Sequence, residues 1–348
     1  MTASAVDPVP FLDLARRAAH QQPELSEAVD RVVRSGVYLL GQELEAFEAE
    51  FAEFTGRRHV VGVASGTEAL RLALLALGLE PGDEVIIPAL TAVPTAAAVC
   101  AVGAVPVFVD VDPHTAGIDV DCAAAAVTDR TRAVIPVHLY GRPAELPDLG
   151  VPIVEDAAQA HGALDPNAPA AAAAYSFYPT KNLGGIGDGG AVVTDDADLA
   201  AAVRLRRAHA LTDGYVHTAI ATNARMSEVE AAALRIGLRG LASGNERRRE
   251  IAGSYRSIAQ SMGWQATHPR HVYHLCVARL HDRDGFRARV PFATALHYPL
   301  AMTQQPAYRQ FVRSPCPEAE RWASECVSLP CFPELTDDEI EVVCRALP

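Results

Sequence analysis

One amine stands out among the side chains that could do chemistry. The chain of 348 residues contains a single lysine, Lys181, although lysine and arginine together number 30. An amine condenses with an aldehyde or ketone to give a Schiff base, whereas a guanidinium, which stays protonated, does not. A compositional bias towards arginine would explain the missing lysines but not the one that is kept. The pattern indicates a position that needs an amine.

Two other short segments carry groups that could bind the same ligand. Ser65-Gly66-Thr67 separates an apolar stretch from a helical pattern, and backbone N–H groups at such a helix N-terminus often bind phosphate. The same residues are also ordinary helix caps. Asp156 follows the mostly apolar stretch 151–154, a place where functional carboxylates lie in an α/β sheet, although it could merely cap the next turn.

A run of glycines follows the lysine within residues 184–190. Such a run could be only a flexible turn. Because it comes directly after Lys181, we interpret it as backbone that makes room for a bulky planar group.

The composition narrows the class of protein. The formal net charge is −13 and the pI is about 5.4, which disfavours a general nucleic-acid partner or an anionic membrane. No apolar run approaches the roughly 20 residues of a membrane span, and residues 1–10 lack a leader pattern, so we expect a cytoplasmic protein without a membrane partner. The seven cysteines are scattered without a Cys-x-x-Cys pair, and neither a metal site nor a disulfide framework is expected.

The order of the predicted elements indicates the fold class. Strands separated by helices predict βαβ units and a mainly parallel sheet flanked by helices, the α/β class. We expect helices at 23–35, 42–54, 67–77, 93–102, 119–127 and 197–209, and strands at 59–63, 84–88, 105–109, 133–138, 151–155, 175–178 and 191–194.

The chain is expected to divide near residue 240. Residues 1–240 would form an N-terminal arm and a large ligand-binding domain, and residues 241–348 a smaller C-terminal α+β domain. The elements expected around and beyond the division are helices at 227–241 and 246–262, strands that contain 271–274 and 295–299, and a closing helix at 337–345.

Four groups in the predicted large domain call for one common ligand. They are the turn 65–67, the carboxylate of Asp156, the hydroxyl of Ser176 and the amine of Lys181. Pyridoxal phosphate matches this set, because its phosphate needs N–H and hydroxyl donors, its aldehyde needs an amine, and its ring nitrogen needs a carboxylate to stay protonated.

The chain resembles the DegT/DnrJ/EryC1/StrS sugar aminotransferase family, a branch of the fold type I pyridoxal-phosphate enzymes. The resemblance extends over nearly the whole chain. The segments that carry it are 36–41, 65–70, 82–86, 155–159, 176–182, 187–190, 223–226, 297–299 and 328–330.

The resemblance implies a role for each residue of the cofactor site. Lys181 would form the Schiff base with the cofactor and move the proton between substrate and cofactor carbons. Asp156 would pair with the pyridinium nitrogen, and Gln159 would contact the ring near its hydroxyl group. The phosphate would be held by Gly66, Thr67 and Ser176.

The resemblance also implies a homodimer whose active sites lie at the interface. Asn223 would reach the cofactor phosphate of the neighbouring subunit. His297 and Tyr298 fall in a segment that lines the substrate side in the family, although His297 could equally be a structural histidine. Two departures stand out: Ala92 replaces the usual aromatic residue over the cofactor ring, and the connection 163–174 is shorter than usual.

The implied reaction is a two-stage transamination in amino-sugar or secondary-metabolite biosynthesis. L-Glutamate or L-glutamine would give its amine to the cofactor, and a keto sugar, expected to be nucleotide-linked, would then take it. A ketocyclitol acceptor is an alternative that these residues do not separate. Lys181 disfavours a sugar dehydratase, because the family's dehydratases carry histidine there. A regulatory protein that holds the cofactor without turnover would be expected to lose Lys181 or Asp156, and both are present.

Overall fold

A computed structural model describes residues 9–348 of the chain. The helices are α1 (Leu14–His20), α2 (Glu24–Ser35), α3 (Gln42–Thr55), α4 (Gly66–Ala76), α5 (Val93–Ala101), α6 (Val120–Ala125), α7 (Ala197–Arg206), α8 (Glu228–Ile258), α9 (Arg283–Arg289), α10 (Pro317–Glu325) and α11 (Asp337–Ala346). The strands are β1 (His59–Val63), β2 (Glu84–Pro88), β3 (Val105–Val109), β4 (Thr131–Val134), β5 (Val154–Asp156), β6 (Ala172–Ser176), β7 (Gly190–Thr194), β8 (Leu211–Thr212), β9 (Val216–His217), β10 (Gly263–Trp264), β11 (Cys276–Arg279) and β12 (Cys326–Leu329).

The central sheet has the strand order β3-β2-β4-β5-β6-β7-β1. Strand β2 pairs in parallel with β3 and β4, and β5 pairs in parallel with β6. Parallel bridges from Val134 to Ile153 and from Val137 to Asp156 join β4 to β5. Within the described residues, β7 is the only antiparallel strand of this sheet, and it pairs with β6 on one side and β1 on the other. The predicted α/β fold with a mainly parallel sheet is confirmed.

Helices cover both faces of the sheet, which is why its strands are buried on both sides. Helices α4, α5 and α7 contribute to one apolar core, and α3 and α8 to another. In the second core, Phe47 and Phe51 of α3 pack edge-on against Phe177, with ring centroids 5.3 and 5.4 Å apart. Phe177 follows β6 directly, so this packing anchors the beginning of the loop that carries Lys181.

The alanine-rich run contributes a strand to the middle of the sheet. Strand β6 begins at Ala172, whereas the sequence placed the strand at 175–178, so that prediction was about three residues late. Ala172, Ala173 and Ala174 are buried between β5 and β7. Alanine has low β-propensity, but burial within the sheet decides the conformation here.

Helix α8 is a single helix of 31 residues, so the two separate helices predicted at 227–241 and 246–262 were wrong. The helix continues through Gly240 and Gly244. Within the helix, a Cβ at Gly240 would meet nothing within 4 Å, and Gly244 lies against Pro333. The first half of α8 packs on α2 and α3, and α8 also contacts α11. The domain division near residue 240 stays a prediction.

The last part of the chain mixes a small sheet with helices. Strands β10, β11 and β12 form an antiparallel sheet that shares an apolar core with residues of α8, α9 and α11. The strands expected around 271–274 and 295–299 are not formed; only Ala295 makes an isolated bridge, to Ser328. Residues 271–273 instead have no regular secondary structure, and His271 Nδ1 accepts a hydrogen bond from the Tyr273 N–H.

The described residues contain no helix that is both long enough and apolar enough to cross a membrane.

A buried carboxylate joins α8 to the beginning of α3. Glu228 is 2% exposed, and its Oε1 accepts hydrogen bonds from the N–H groups of Gly41 and Leu44, at 2.9 and 3.3 Å. Its Oε2 accepts a third from the Glu43 N–H at 2.8 Å. The first turn of a helix has no internal partners for these N–H groups, so Glu228 satisfies them from another helix.

We expect Glu228→Ala to lower the free energy of unfolding by about 3 kcal/mol, because the change leaves buried N–H groups without an acceptor. Denaturant unfolding at a fixed protein concentration measures this. Glu246→Ala, on the exposed side of the same helix, is the control and should change the value by less than about 0.5 kcal/mol. Equal effects of the two substitutions would contradict the role assigned to Glu228.

Candidate active site

A cavity of about 330 Å³ lies at the carboxyl ends of the central strands, the edge where ligands bind in α/β sheets. Its walls come from segments that follow β1, β2, β4, β5 and β6, so residues far apart in sequence meet there. Of the predicted site residues, the cavity is lined by Gly66, Thr67, Asp156, Gln159, Ser176 and Lys181. Asn223, His297 and Tyr298 do not line it.

The N-terminus of α4 forms one end of the cavity. Ser65 caps the helix, since its Oγ accepts a hydrogen bond from the Glu68 N–H at 3.1 Å. A Cβ at Gly66 would come within 2.6 Å of the Ser176 Cβ, so glycine is required for β6 to approach this turn. The helix N-terminus and two hydroxyl-bearing residues, Thr67 and Ser176, therefore line the same cavity, which suits a phosphate.

Asp156 provides the acidic wall of the cavity and is 6% exposed. Its Oδ2 accepts a hydrogen bond from Thr95 Oγ1 at 2.7 Å, and Thr95 Oγ1 lies 2.8 Å from Thr91 Oγ1. Its Oδ1 accepts from the Ala158 N–H at 3.1 Å. Asp156 thus caps the turn after β5, but the threonine pair also fixes the direction of its carboxylate. A fixed carboxylate can hold a protonated ring nitrogen.

Lys181 places the lone amine of the chain in the same cavity. Burial lowers the pKa of its amine to about 8, against the opposing effect of the Asp156 charge. At pH 7 about one molecule in ten would then carry a neutral amine, compared with far fewer than one in a hundred for an ordinary lysine. The neutral form is the one that attacks a carbonyl or accepts a proton.

The backbone on either side of Lys181 is held from two distant parts of the chain. Arg17 of α1 donates to the carbonyl oxygens of Pro179 and Lys181, at 2.9 and 3.1 Å. Asn182 donates to Asn245 Oδ1 at 2.8 Å and to the Val272 carbonyl at 3.0 Å. No short-range sequence signal pointed to Arg17, because 162 to 164 residues separate it from its acceptors.

The glycine run after Lys181 makes room for protein atoms, so our interpretation that it accommodates a planar ligand was wrong. A Cβ at Gly184 would overlap the Pro179 carbonyl, and one at Gly185 would overlap the Glu230 carboxyl. Glu230 is 4% exposed, and its Oε2 accepts a hydrogen bond from the Ile186 N–H at 3.2 Å. Burial, reinforced by the Asp188 charge, raises the pKa of Glu230 to about 7.

Gln159, Tyr298 and His297 lie on the side of the small sheet. Gln159 Nε2 donates to the Tyr298 hydroxyl at 3.0 Å, and Gln159 Oε1 accepts from the Tyr140 N–H at 2.6 Å. His297 shares a hydrogen bond with Ser328 Oγ, and burial together with the Lys181 charge lowers the pKa of His297 to about 4. The predicted contacts of Gln159 with a cofactor and of His297 and Tyr298 with a substrate stay predictions.

Asn223 is an exposed residue outside this cavity. Its Oδ1 accepts a hydrogen bond from Arg225 Nε at 2.9 Å. It therefore has no contact with the Lys181 site of its own chain, and its predicted role in a neighbouring subunit stays a prediction.

Several residues at the site were not singled out from the sequence. Thr95 does not line the cavity but supports Asp156 from the first turn of α5, and its place in the helix that follows β2 was the available signal. Asp188 lies in the glycine run. Ala92 lines the cavity where the family usually has an aromatic residue, and the aromatic side chain that does line it is Tyr178, which is 52% exposed.

The donor set fits pyridoxal phosphate. Phosphate donors, an amine and a fixed carboxylate line one cavity, in agreement with the needs of the phosphate, aldehyde and ring nitrogen of that cofactor. Among residues 9–348, no group of three or more histidine, cysteine, aspartate or glutamate side chains is arranged to hold a metal ion.

Comparisons with known proteins point to one family. The model described as the DegT/DnrJ/EryC1/StrS aminotransferase family matches residues 20–348. The chain is 43% identical to the erythromycin biosynthesis sensory transduction protein EryC1 of Saccharopolyspora erythraea, over 97% of this chain and 98% of that protein. It is also 43% identical to the dTDP-3-amino-3,4,6-trideoxy-alpha-D-glucose transaminase of Streptomyces venezuelae, over 96% of this chain and 94% of the relative. The crystal structure of S. venezuelae DesV in complex with a ketimine intermediate superposes with a TM-score of 0.93 at 42% identity, over 98% of both chains.

We expect the amine of Lys181 in cofactor-free protein to react with trinitrobenzenesulfonate at a rate that is half-maximal near pH 8, because burial lowers its pKa. Peptide mapping separates this lysine from the α-amino group. Asp156→Asn should move the midpoint to lower pH, since the Asp156 charge raises the pKa of Lys181. A midpoint near the ordinary lysine value of 10.5 would contradict the burial of the amine.

We expect Glu230→Gln to stabilise the protein increasingly as the pH rises from about 4.5 to about 7. In the folded state the pKa of Glu230 is raised from 4.5 to about 7, so folding opposes its ionisation within this window. The loss of unfolding free energy caused by this ionisation is absent below pH 4.5. It grows to roughly 3 kcal/mol by pH 7 and is constant above that pH. Unfolding free energies measured against pH test this, with Glu250→Gln, an exposed residue of α8, as the control. A pH-independent difference would refute it.

Proposed function

The chain belongs to the DegT/DnrJ/EryC1/StrS aminotransferase family, and on that premise we propose that it uses pyridoxal 5′-phosphate to transfer an amino group from an amino acid to a nucleotide-linked keto sugar. The observation that carries the proposal is the cavity in which the sole lysine, Lys181, meets Asp156 and the N-terminus of α4. Each of these groups answers one chemical need of the cofactor.

Each residue of the cavity would have its own role in binding the cofactor or in the reaction. When bound, the cofactor supplies an aldehyde that takes up amines and a ring that withdraws electrons from the reacting carbon. Gly66, Thr67 and Ser176 would hold the phosphate, and Asp156 would keep the ring nitrogen protonated. The Nζ atom of Lys181 would take up and return the proton at the reacting carbon, a task suited to an amine whose pKa is about 8.

The choice of substrates rests on the relatives and not on this site alone. The S. venezuelae relative is named as a transaminase of a dTDP-linked sugar, which supports a nucleotide-linked keto sugar as acceptor. L-Glutamate or L-glutamine is the proposed donor. A ketocyclitol acceptor remains the alternative.

We also propose that the active form is a homodimer in which Asn223 reaches the partner's phosphate site. Several large apolar side chains in the segment before α3, in the glycine run and on the β8–β9 hairpin are exposed, which favours coverage by a second copy. They are Val37, Tyr38, Leu39, Leu40, Ile186, Leu211, Tyr215 and Val216, with exposures from 42% to 83%.

A regulatory protein that holds the cofactor without turnover is the second candidate, because the S. erythraea relative is named as a sensory transduction protein. This chain has Lys181, Asp156 and the Thr95 hydroxyl that donates to Asp156. A protein without turnover would have no need of an amine that transfers protons. A sugar dehydratase is disfavoured by Lys181 in the same way.

The two candidates differ in turnover. We expect the protein loaded with pyridoxal phosphate to lose its visible absorption band on addition of L-glutamate or L-glutamine, and to form an amino sugar from one member of a panel of dTDP- and UDP-linked keto sugars and ketocyclitols, detected by mass spectrometry. Lys181→Ala should abolish product formation. A protein that binds the cofactor but responds to no amino donor would favour the regulatory candidate.

A further inference from the structure

A second cavity adjoins the lysine loop. It measures about 130 Å³ and is lined by the polar residues Thr180, Arg248, His274 and His297 and by the apolar or weakly polar residues Phe11, Leu12, Leu275, Leu329 and Cys331. Thr180 immediately precedes Lys181, and burial, followed by the Lys181 charge, lowers the pKa of both histidines. Because Thr180 lines it, the cavity lies beside the loop that carries the reactive amine. It holds far more than one water molecule, which needs about 10–15 Å³.

Arg248 brings a buried charge to this cavity without a matching acid. It is 2% exposed, and its Nη1 donates to the carbonyl oxygens of Cys331 and Tyr273. Within residues 9–348, no carboxylate lies within 4.0 Å of its guanidinium. Burial lowers the pKa of Arg248 to about 10, so the group is still cationic at neutral pH. A buried charge that lacks an opposite charge destabilises the fold.

The acid whose charge acts on Arg248 is shared with a second arginine. The Glu334 charge raises the pKa of both Arg17 and Arg248, against the larger effect of burial, and Glu334 Oε1 lies 3.8 Å from Arg17 Nε. Arg17 is the residue that holds the lysine loop through the carbonyls of Pro179 and Lys181. In the described part of the chain, the charges of two guanidinium groups, one buried and one 13% exposed, are thus opposed by one carboxylate, and one positive charge is left over near the lysine loop.

We propose that Arg248 binds a carboxylate of the amino donor, which extends the proposed function to the donor's recognition. A guanidinium presents a planar pair of N–H donors that fits a carboxylate, and the anion would compensate the buried charge. The apolar wall residues suit the methylene groups of an amino acid. A nucleotide-linked sugar is too large for this volume, and a phosphate already has donors at the N-terminus of α4.

The first test is binding of glutarate, a dicarboxylate that has no amine to transfer, to the protein loaded with pyridoxal phosphate, followed by calorimetry. Arg248→Met removes the charge and keeps an apolar stem. It should weaken glutarate binding by about 10- to 100-fold, the loss of a charge-assisted hydrogen bond pair. Arg249→Met is the matched control, because Arg249 is the next residue of α8 and donates hydrogen bonds to the His271 carbonyl and to Glu246. This variant should bind glutarate as tightly as the unmodified protein.

Arg248 also donates hydrogen bonds to backbone carbonyls. A second variant therefore separates a loss of glutarate binding from a loss of folding. Arg248→Lys keeps the charge but loses the planar fork, and it should bind glutarate several-fold more weakly than Arg249→Met while keeping the melting temperature of the control. Equal glutarate affinity in Arg248→Lys and Arg249→Met would overturn the proposal.

Kinetics provide a readout that general damage would not produce. Arg248→Met should raise the KM for L-glutamate at least tenfold and leave the KM for the keto sugar unchanged, and it should not alter the weak reaction of an alkylamine that lacks a carboxylate. Equal losses for both substrates would overturn the assignment. Arg248-dependent glutarate binding in a protein that transfers no amine would instead sink the proposed function and leave the carboxylate site standing.

Discussion

Burial of one amine beside one carboxylate is the interaction on which the rest of the site depends. Taking the Lys181 amine out of water lowers its pKa to about 8, and the Asp156 charge limits the fall. The opposed effects leave an amine that is available as a nucleophile and base near neutral pH. They also require the fold to fix the backbone of the loop, since the loop must keep the Lys181 amine inside the cavity.

The fold meets that requirement with contacts from several directions. Helix α1 holds the lysine loop through Arg17, and α8 does so through Asn245 and Asn182. Helix α8 also inserts Glu230 into the glycine run that follows. Helix α8 continues into the core of the small sheet. It therefore connects the glycine run after Lys181 with the part of the chain that contains His274 and His297, where we propose that the substrate binds.

Sequence reasoning found the residues whose signals are local. Lys181, Asp156 and the turn at Ser65 are each marked by their place next to a strand or helix end, and the resemblance put them in one cavity before the structure did. It could not find Arg17 or Glu230, because their contacts depend on tertiary packing between distant segments. It also divided α8 into two helices and placed β6 about three residues late, because the burial that holds these residues in helix and strand comes from tertiary packing.

The central claim is that the Lys181 amine is the group that binds the cofactor's aldehyde. The most direct measurement is borohydride reduction of the protein incubated with pyridoxal phosphate, followed by mass mapping of the modified peptide. We predict one cofactor adduct per chain, on the peptide that contains Lys181, and none there in Lys181→Ala. With a single lysine in the chain, the α-amino group is the other primary amine. An adduct confined to that terminus, or no adduct at all, would contradict the claim.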